Sequence, residues 1–567
     1  MTVQDHPGPT ADPLAEAPGA GVPADVSSLE EPKRPLLSGV TTRRVGLALA
    51  GLAAVIGLFV FLYAVAVHAY APDSDGATVA VQGQAILHGN VLLNRWTLSL
   101  DSFWTVDALW YFVAVLFYGL HPALLHAVPV VIVVAVIVVG VVMAVQERRG
   151  TAAGTAAGTV VVILALPAQA LARFLLRGPL HIGTALWCLV AFLALRRGKF
   201  GWGFAVGVIF LAAGLLGDLQ MAVLGVVPVL LAGLAAIGRT RDWRGGLPQV
   251  AAAISSLALA EVIRWIARAF GTFSIARANP TAKFPQMLHN VKQGIHEGVS
   301  MMGVGSAYFG LGADPRALSY VHLFAILVVF SAMAGTALAL LWGVLRGRPS
   351  VVGTSSEAAW RLDDMLFFAA LGSGAAFIVL ATSYNPSYGR YLTSGIIFGT
   401  ILSGRVVGRV VQGLRWRTVG RLAAGVGLAA TASYLAGVVI NLDRPAPVSK
   451  AAVLASWLEE HDLHDGVGDY WSASIVTVES SGSVEVRPVF SPDDRRLVGY
   501  NRNSSTDWYK ESFRFVVFRL GTTWGNVTWQ TAIRTFGFPS RAYVVDGSYR
   551  VMVWTHSLHV PPLHRAH

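Results

Sequence analysis

Long apolar runs alternate with short basic clusters along most of the chain. Residues 45–70 form the first run, longer than the roughly 20 residues a helix needs to cross a bilayer. Further runs near 122–145, 153–172, 180–195, 200–217, 219–238, 247–268, 319–345, 364–382, 391–404 and 420–441 bring the predicted spans to about eleven. Lys33, Arg34, Arg43 and Arg44 precede the first span. Every second connection then carries the charge: Arg148 and Arg149; Arg196, Arg197 and Lys199; Arg239, Arg241 and Arg244; Arg346 and Arg348; Arg405, Arg409, Arg415, Arg417 and Arg421. The positive-inside rule places these ends, and the N-terminus, in the cytoplasm. An odd number of spans then leaves the chain beyond 442 outside.

Residues 1–42 are rich in Pro, Ala, Asp and Glu with almost no aromatics, too little apolar area to offset chain entropy, and read as a disordered cytoplasmic tail. The tail is too long and acidic for a signal peptide. The transmembrane domain is expected over 43–441, with a first outer loop at 71–121. Past 442 the period changes. Helix-like stretches at 449–461 and 526–536, the second opened by Asn526, alternate with β-rich runs at 483–490, 513–519, 541–546 and 549–554. The fold expected is a polytopic all-α membrane domain with a small extracytoplasmic α/β domain over 442–567.

Composition narrows the function. The chain of 567 residues is 54% hydrophobic and 13% charged, against about 25% charged in soluble domains, which excludes a water-soluble enzyme. One cysteine, Cys188, excludes a disulfide framework and a Cys-based metal cluster. The net charge of +11 sits in clusters between apolar runs, which points to topology and not to nucleic acid.

The first outer loop carries the strongest chemical signal. Asp73 and Asp75 follow the first span directly, then a stretch with Val79, Ala80, Ile86 and Leu87 that is expected to lie along the membrane surface with Asp75 and its neighbours at its cap. Asp101, Trp104 and Asp107 lead into a second amphipathic, aromatic stretch at 108–118. Asp218 stands between two apolar runs, where a carboxylate is costly without a polar cavity or a partner. His181 follows a turn holding Arg173 and Arg177, a turn suited to an anion. In the loop Tyr384–Tyr391, Arg390 stands among tyrosines and offers a planar fork for phosphate. Each has a structural alternative: an N-cap and a solvated turn for the aspartates, an interfacial histidine, an aromatic belt with a snorkelling arginine. Glu261 and Arg264, three apart, are expected to pair. The connection at 269–318, with Arg277, Lys283, His289, Lys292, His296 and Glu297, reads as a loop able to close over a lipid. Residues 468–478 suit either a glycan contact or a packed core, and Asn503 and Asn526 open glycosylation sequons too common to interpret.

An acidic pair directly after the first span, two surface helices in that loop, about eleven spans and an outer C-terminal domain together resemble the GT-C superfamily of integral-membrane glycosyltransferases. Protein O-mannosyltransferases, aminoarabinose transferases and the catalytic subunit of oligosaccharyltransferase belong to it. The resemblance covers most of the chain as an architecture and residues 70–125 as a motif. It implies transfer of a sugar from a polyprenyl-phosphate carrier to a glycan, lipid or protein acceptor at the outer membrane face. Asp73 and Asp75 would supply the general base; Arg390, Tyr391, Asp218 and His181 would bind substrate or lipid phosphate. No cofactor is certain, and a divalent metal, if one is bound, would fall to Asp73, Asp75 and Asp218. The Trp-Trp-Asp signature of oligosaccharyltransferases is absent, as is the contiguous Asp-Glu of O-mannosyltransferases, so sugar, acceptor and stereochemistry stay open. Two rivals differ in class: a transporter or lipid flippase, which would show halved repeats and intramembrane charges, and a noncatalytic subunit of a polysaccharide assembly system.

Overall fold

A computed structural model describes residues 42–276, 281–304, 316–347, 357–380, 389–413 and 417–561. The expected disordered tail, except Thr42, lies outside these residues, as do Arg277, Arg348, Arg415 and residues 384–388. The chain falls into two units, Met1–Ala54 and Val55–His567. Helix α1 (Thr42–Ala69) opens with Val45, Leu47, Leu49 and Leu52 all exposed, an apolar surface all round that suits lipid and not water.

The other helices of the membrane domain follow the hydropathy pattern closely. They are α4 (Leu124–Val145), α5 (Gly150–Leu164), α6 (Gln169–Leu175), α7 (Ile182–Leu195), α8 (Trp202–Gly217), α9 (Val227–Thr240), α10 (Leu247–Ala269), α12 (Arg316–Arg346), α13 (Glu357–Leu380), α14 (Arg390–Gly413) and α15 (Arg417–Leu442). Among the described residues eight are long and apolar enough to cross a membrane, α9 counting with the π-helical turn Ala222–Val226 before it. The chain is therefore a multi-pass membrane protein. The single span expected at 153–172 is instead two helices, α5 and α6, bent by 86°, and Pro167 at the break has no N–H to continue the ladder. Helices α7 and α8, of 14 and 16 residues, rise about 1.5 Å per residue and fall short of a hydrocarbon core of about 30 Å.

Several arginines assigned to cytoplasmic loops are packed inside instead. Arg405 of α14 is fully buried and pairs with Asp363, which Arg409 also meets at 2.6 Å, while Arg148 donates to the Arg405 carbonyl at 2.6 Å. Arg239 at the end of α9 pairs with Asp364 and packs against the Trp360 ring. These charges gather the C-terminal ends of α4, α9 and α14 around the start of α13, so part of the apparent topological signal is a buried ion-pair network.

The first connection holds α2 (Ser74–Leu87), β1 (Trp96–Leu98) and α3 (Ala108–Tyr118). Of the two expected surface helices, α3 keeps Leu109, Val113, Leu116, Phe117 and Tyr118 exposed, but α2 is buried along most of its length. It runs beneath α17 (Ser474–Glu479), where Thr78 Oγ1 donates to Ser474 Oγ at 3.0 Å, and against α3. The 269–318 connection carries β2 (Ser274–Ile275) and an 18-residue helix, α11 (Phe284–Met301), where the sequence reads as loop.

The C-terminal part opens with α16 (Lys450–Glu460) and builds a mixed six-stranded sheet from β3 (Asp465–Gly468), β4 (Glu485–Phe490), β5 (Val498–Gly499), β7 (Phe513–Arg519), β8 (Arg541–Val545) and β9 (Tyr549–Leu558), in the order β5-β4-β3-β7-β9-β8. The central strand β3, parallel to both neighbours, is Asp-Gly-Val-Gly and carries no alternation to betray it. Gly466 is required there, because a Cβ would lie 2.2 Å from the Phe515 ring. Helix α18 (Trp529–Phe536) is opened by a Thr528 capping box and not by Asn526. A second sheet, β2-β1-β6 with β6 at Ser504–Ser505, ties the first connection to the C-terminal part, reinforced by the Trp96–Trp508 ring pair at 4.8 Å.

Candidate functional site

Asp73 and Asp75 part company within one turn. Asp73, in extended backbone, is the N-cap of α2: its Oδ1 accepts from the backbone N–H of Asp75 at 3.1 Å and of Gly76 at 3.3 Å. Its Oδ2 accepts from Arg177 Nε at 2.9 Å. The cap expected of Asp75 and its neighbours is made by Asp73, whose β-region backbone folds its carboxylate back over the free N–H groups. Asp75, two residues into the turn, points the other way, and its Oδ1 accepts from the Tyr470 hydroxyl at 2.6 Å. Asn503 Nδ2 donates to the Tyr470 oxygen at 3.4 Å, and Asn503 Oδ1 accepts from the Ser99 N–H. Burial raises the Asp75 carboxyl above the ordinary carboxylate range and the neighbouring Asp73 charge adds to this; the Tyr470 hydrogen bond pulls partly back.

A second corner forms where α7 begins and α8 ends. Asp218 Oδ2 accepts from His181 Nδ1 at 2.8 Å and from the Thr184 hydroxyl, and Oδ1 accepts from the Gln220 N–H at 2.9 Å. Burial alone would raise Asp218, but the facing imidazolium and these donors hold it below the usual range. Burial alone would lower His181, and Asp218 outweighs it, so the ring is held protonated above its ordinary value. His181 has a left-handed φ of +68°, a conformation costly for a residue with a Cβ. Asp101 sits beside this pair. Burial, then Asp218, push its carboxyl up to about 6. Asp107, at the start of α3, is pushed to about 7, first by burial and then by Asp218.

Arg390 and Tyr391 open α14 on the same side. The Tyr391 ring stacks on His181 at 5.4 Å. Arg390 Nε is buried with no hydrogen-bond partner among the described residues.

These three corners meet around one cavity of about 590 Å³, lined by Asp75, Asp101, His181, Arg390, Tyr391 and Tyr470 among others. Asp73 and Asp218 stand behind this wall as supports. Gln82 Oε1 and both amide atoms of Gln220, also in the lining, are buried and have no protein partner among the described residues. The metal ligands expected at Asp73, Asp75 and Asp218 do not converge, because Arg177 holds Asp73. A different group does: Asp101, His181 and Asp218 place one ligand atom each within 4.8 Å of one another. A divalent ion there would have to displace the His181–Asp218 hydrogen bond. Glu261 and Arg264 pair on the exposed face of α10, where Arg264 also donates to the Leu215 carbonyl.

The sequence singled out Asp75, His181, Asp218 and Arg390, and Arg177 through its turn. Tyr470 was included only as part of 468–478, a stretch suited to a glycan contact or a packed core, and its bond to Asp75 was missed, as was the grouping of Asp101 with His181.

No family model matches the chain, and no curated protein matches it. Solved structures do. The chain is similar to ArnT from Cupriavidus metallidurans bound to undecaprenyl phosphate, at 13% identity over 91% of this chain and 100% of that one, with a TM-score of 0.48. It is similar also to the same protein in the apo state, at 14% identity over 89% and 98% of the two chains, with a TM-score of 0.47. A third is the archaeal oligosaccharyltransferase AglB from Archaeoglobus fulgidus in complex with an inhibitory peptide and a dolichol-phosphate, at 12% identity over 90% and 75%, with a TM-score of 0.45.

Proposed function

We propose that this protein is a glycosyltransferase of GT-C type that moves a sugar from a polyprenyl-phosphate carrier to an acceptor hydroxyl at the extracytoplasmic membrane face. One observation carries the reading: a half-buried carboxylate, Asp75, shares a polar cavity with Arg390, whose Nε is buried without a hydrogen-bond partner among the described residues, at the end of a membrane helix. A lipid phosphate at the depth of the α14 N-terminus would find a charge-assisted, planar donor there. An acceptor hydroxyl on the opposite wall would find a base.

In this reading Asp75 takes the acceptor proton as the acceptor oxygen bonds to the anomeric carbon, and the bond from that carbon to the phosphate oxygen breaks. The polyprenyl phosphate leaves with the electron pair and stays paired with Arg390. Asp73 does not serve as base: it shapes the turn and neutralises Arg177. The His181–Asp218 pair fixes the mouth of α7, and Tyr391 rests on it. In this reading the basic clusters lie toward the cytoplasm, and the cavity and the C-terminal sheet lie on the opposite side. A flippase would need a charged path through the bundle, whereas the buried pairs Arg239–Asp364 and Arg405–Asp363 are locked together at the other end of the helices.

The deciding measurement is transfer from a polyprenyl-phosphate sugar by the purified protein. Asp75→Asn keeps the size and removes the basicity, and turnover should fall by about 10²- to 10⁴-fold with donor binding kept. Near-normal turnover of this variant would remove Asp75 as the base.

A further inference from the structure

The cavity has one wall that the reaction as proposed does not use. Trp471, Tyr500 and Trp524, all from the C-terminal part, line it with their side chains half-buried. Trp554, Phe513 and Phe515 of the same part are by contrast almost fully enclosed. The three wall rings join neither of the two hydrophobic clusters of the described residues. They pack instead on one another and around Tyr470, with centroids 5.5 Å apart for Tyr500–Trp524, 6.1 Å for Trp471–Trp524, and 5.1 to 5.4 Å from Tyr470 to each.

Hydrogen-bonded turns hold the rings in place. Trp471 sits in a 3-10 turn whose N-cap, Asp469, accepts from the Trp471 N–H at 3.0 Å and from the Ser472 hydroxyl at 2.7 Å. Trp524 opens a turn in which Gly525 takes a φ of +64°. The Tyr500 N–H donates to the Tyr509 hydroxyl at 3.0 Å. The wall is thus preformed, and its rings stay available because the backbone holds them out of the core.

We propose that this wall is a stacking platform for the sugar ring of the acceptor, so that the acceptor is a carbohydrate. This rests on the reading of the chain as a glycosyltransferase. A sugar ring has one face of C–H bonds and a rim of hydroxyls. The electron-rich face of an aromatic ring attracts the C–H face, and the rim needs polar neighbours, which Asn503 and Arg502 provide in the same lining. The Tyr470 ring joins the platform directly to Asp75, so a ring stacked on Trp524 or Trp471 has its rim on the side of the base. A lipid headgroup phosphate offers no such C–H face to the rings.

The donor carries a sugar too, so the test separates the two. Saturation-transfer difference NMR on the detergent-solubilised full chain, with a panel of methyl pyranosides, methyl furanosides and linear disaccharides, should show transfer to ring C–H protons. Trp524→Ala should weaken that binding roughly 5- to 100-fold, the range that loss of one stacking ring produces, and Trp524→Phe should retain it, with an unchanged Tm in both as the folding control. Polyprenyl-phosphate binding should not change in either. No saturation transfer from the wild-type protein to any saccharide of the panel would overturn the proposal. So would a Trp524→Ala variant that loses the polyprenyl-phosphate sugar and keeps the free saccharide, since the platform would then serve the donor. Transfer to a peptide acceptor that depends on Asp75 but not on Trp524 would sink the carbohydrate acceptor and leave the glycosyltransferase standing. Saccharide binding at the wall in a protein that takes up no polyprenyl phosphate, with or without Arg390→Ala, would do the reverse.

Discussion

Asp73 and Asp75 are chemically the same residue two positions apart, and their neighbours give them different work. Asp73 spends both oxygens, on the α2 cap and on Arg177, whereas Asp75 is raised and tied to a single hydroxyl. That difference predicts two opposite pH effects. A base must be deprotonated, so the rate falls as pH drops through the Asp75 pKa. Tyr470→Phe removes the hydrogen bond that favours the carboxylate, so the acid limb of kcat should move to higher pH. Asp73→Asn keeps the cap, since Asn caps as well as Asp, but deletes the charge that raises Asp75 and frees Arg177, which lowers it. Its acid limb should move to lower pH. Profiles of kcat for both variants check this, and limbs that move together would contradict the assignment. The acidic pair was legible in the sequence, but the division of labour was not, since it depends on a tyrosine 395 residues further along the chain.

At the scale of elements, the α2–α3 contact sets where the site stands. Gly83 of α2 faces the α3 backbone so closely that a Cβ would come within 2.7 Å of the Phe112 nitrogen and 2.8 Å of the Tyr111 carbonyl carbon. Backbone cannot yield as a flexible side chain does, so Gly83→Ala should cost about 1–3 kcal/mol as overpacking, read as a fall in Tm in detergent. It should also reduce turnover, because α2 carries Asp75. Gly83→Ala with wild-type Tm and turnover would show that the two helices separate freely. The amphipathic pattern of α2 was readable, and surface exposure was the natural inference from it. Burial beneath α17 was not readable, because the covering segment is remote in sequence and its own pattern is indifferent to its partner.

At the scale of the whole molecule, the basic clusters predict that the C-terminal sheet and the cavity face away from the cytoplasm. Cys188 is the sole cysteine and is buried, so cysteines introduced singly at exposed sites report with little background. Ser540→Cys should react with a membrane-impermeant thiol reagent in intact cells, and Lys199→Cys, in the expected cytoplasmic loop, only after permeabilisation. The reverse pattern would invert the orientation and, with it, the side of the reaction. What the sequence determined by itself is that this is a multi-pass membrane protein, and roughly where most of its long apolar helices run. Apolar runs of this length have no stable place in water, and the flanking arginines mark their ends. Only the tertiary structure decided which polar groups share a cavity. The His181–Asp218 pair lies across 37 residues and two short helices, the Asp75–Tyr470 pair across nearly the whole membrane domain, and the aromatic wall comes from three turns of the C-terminal part. Hydropathy reports a residue's solvent, whereas a site is made by distances between side chains, and those are set by packing over separations that no local period spans.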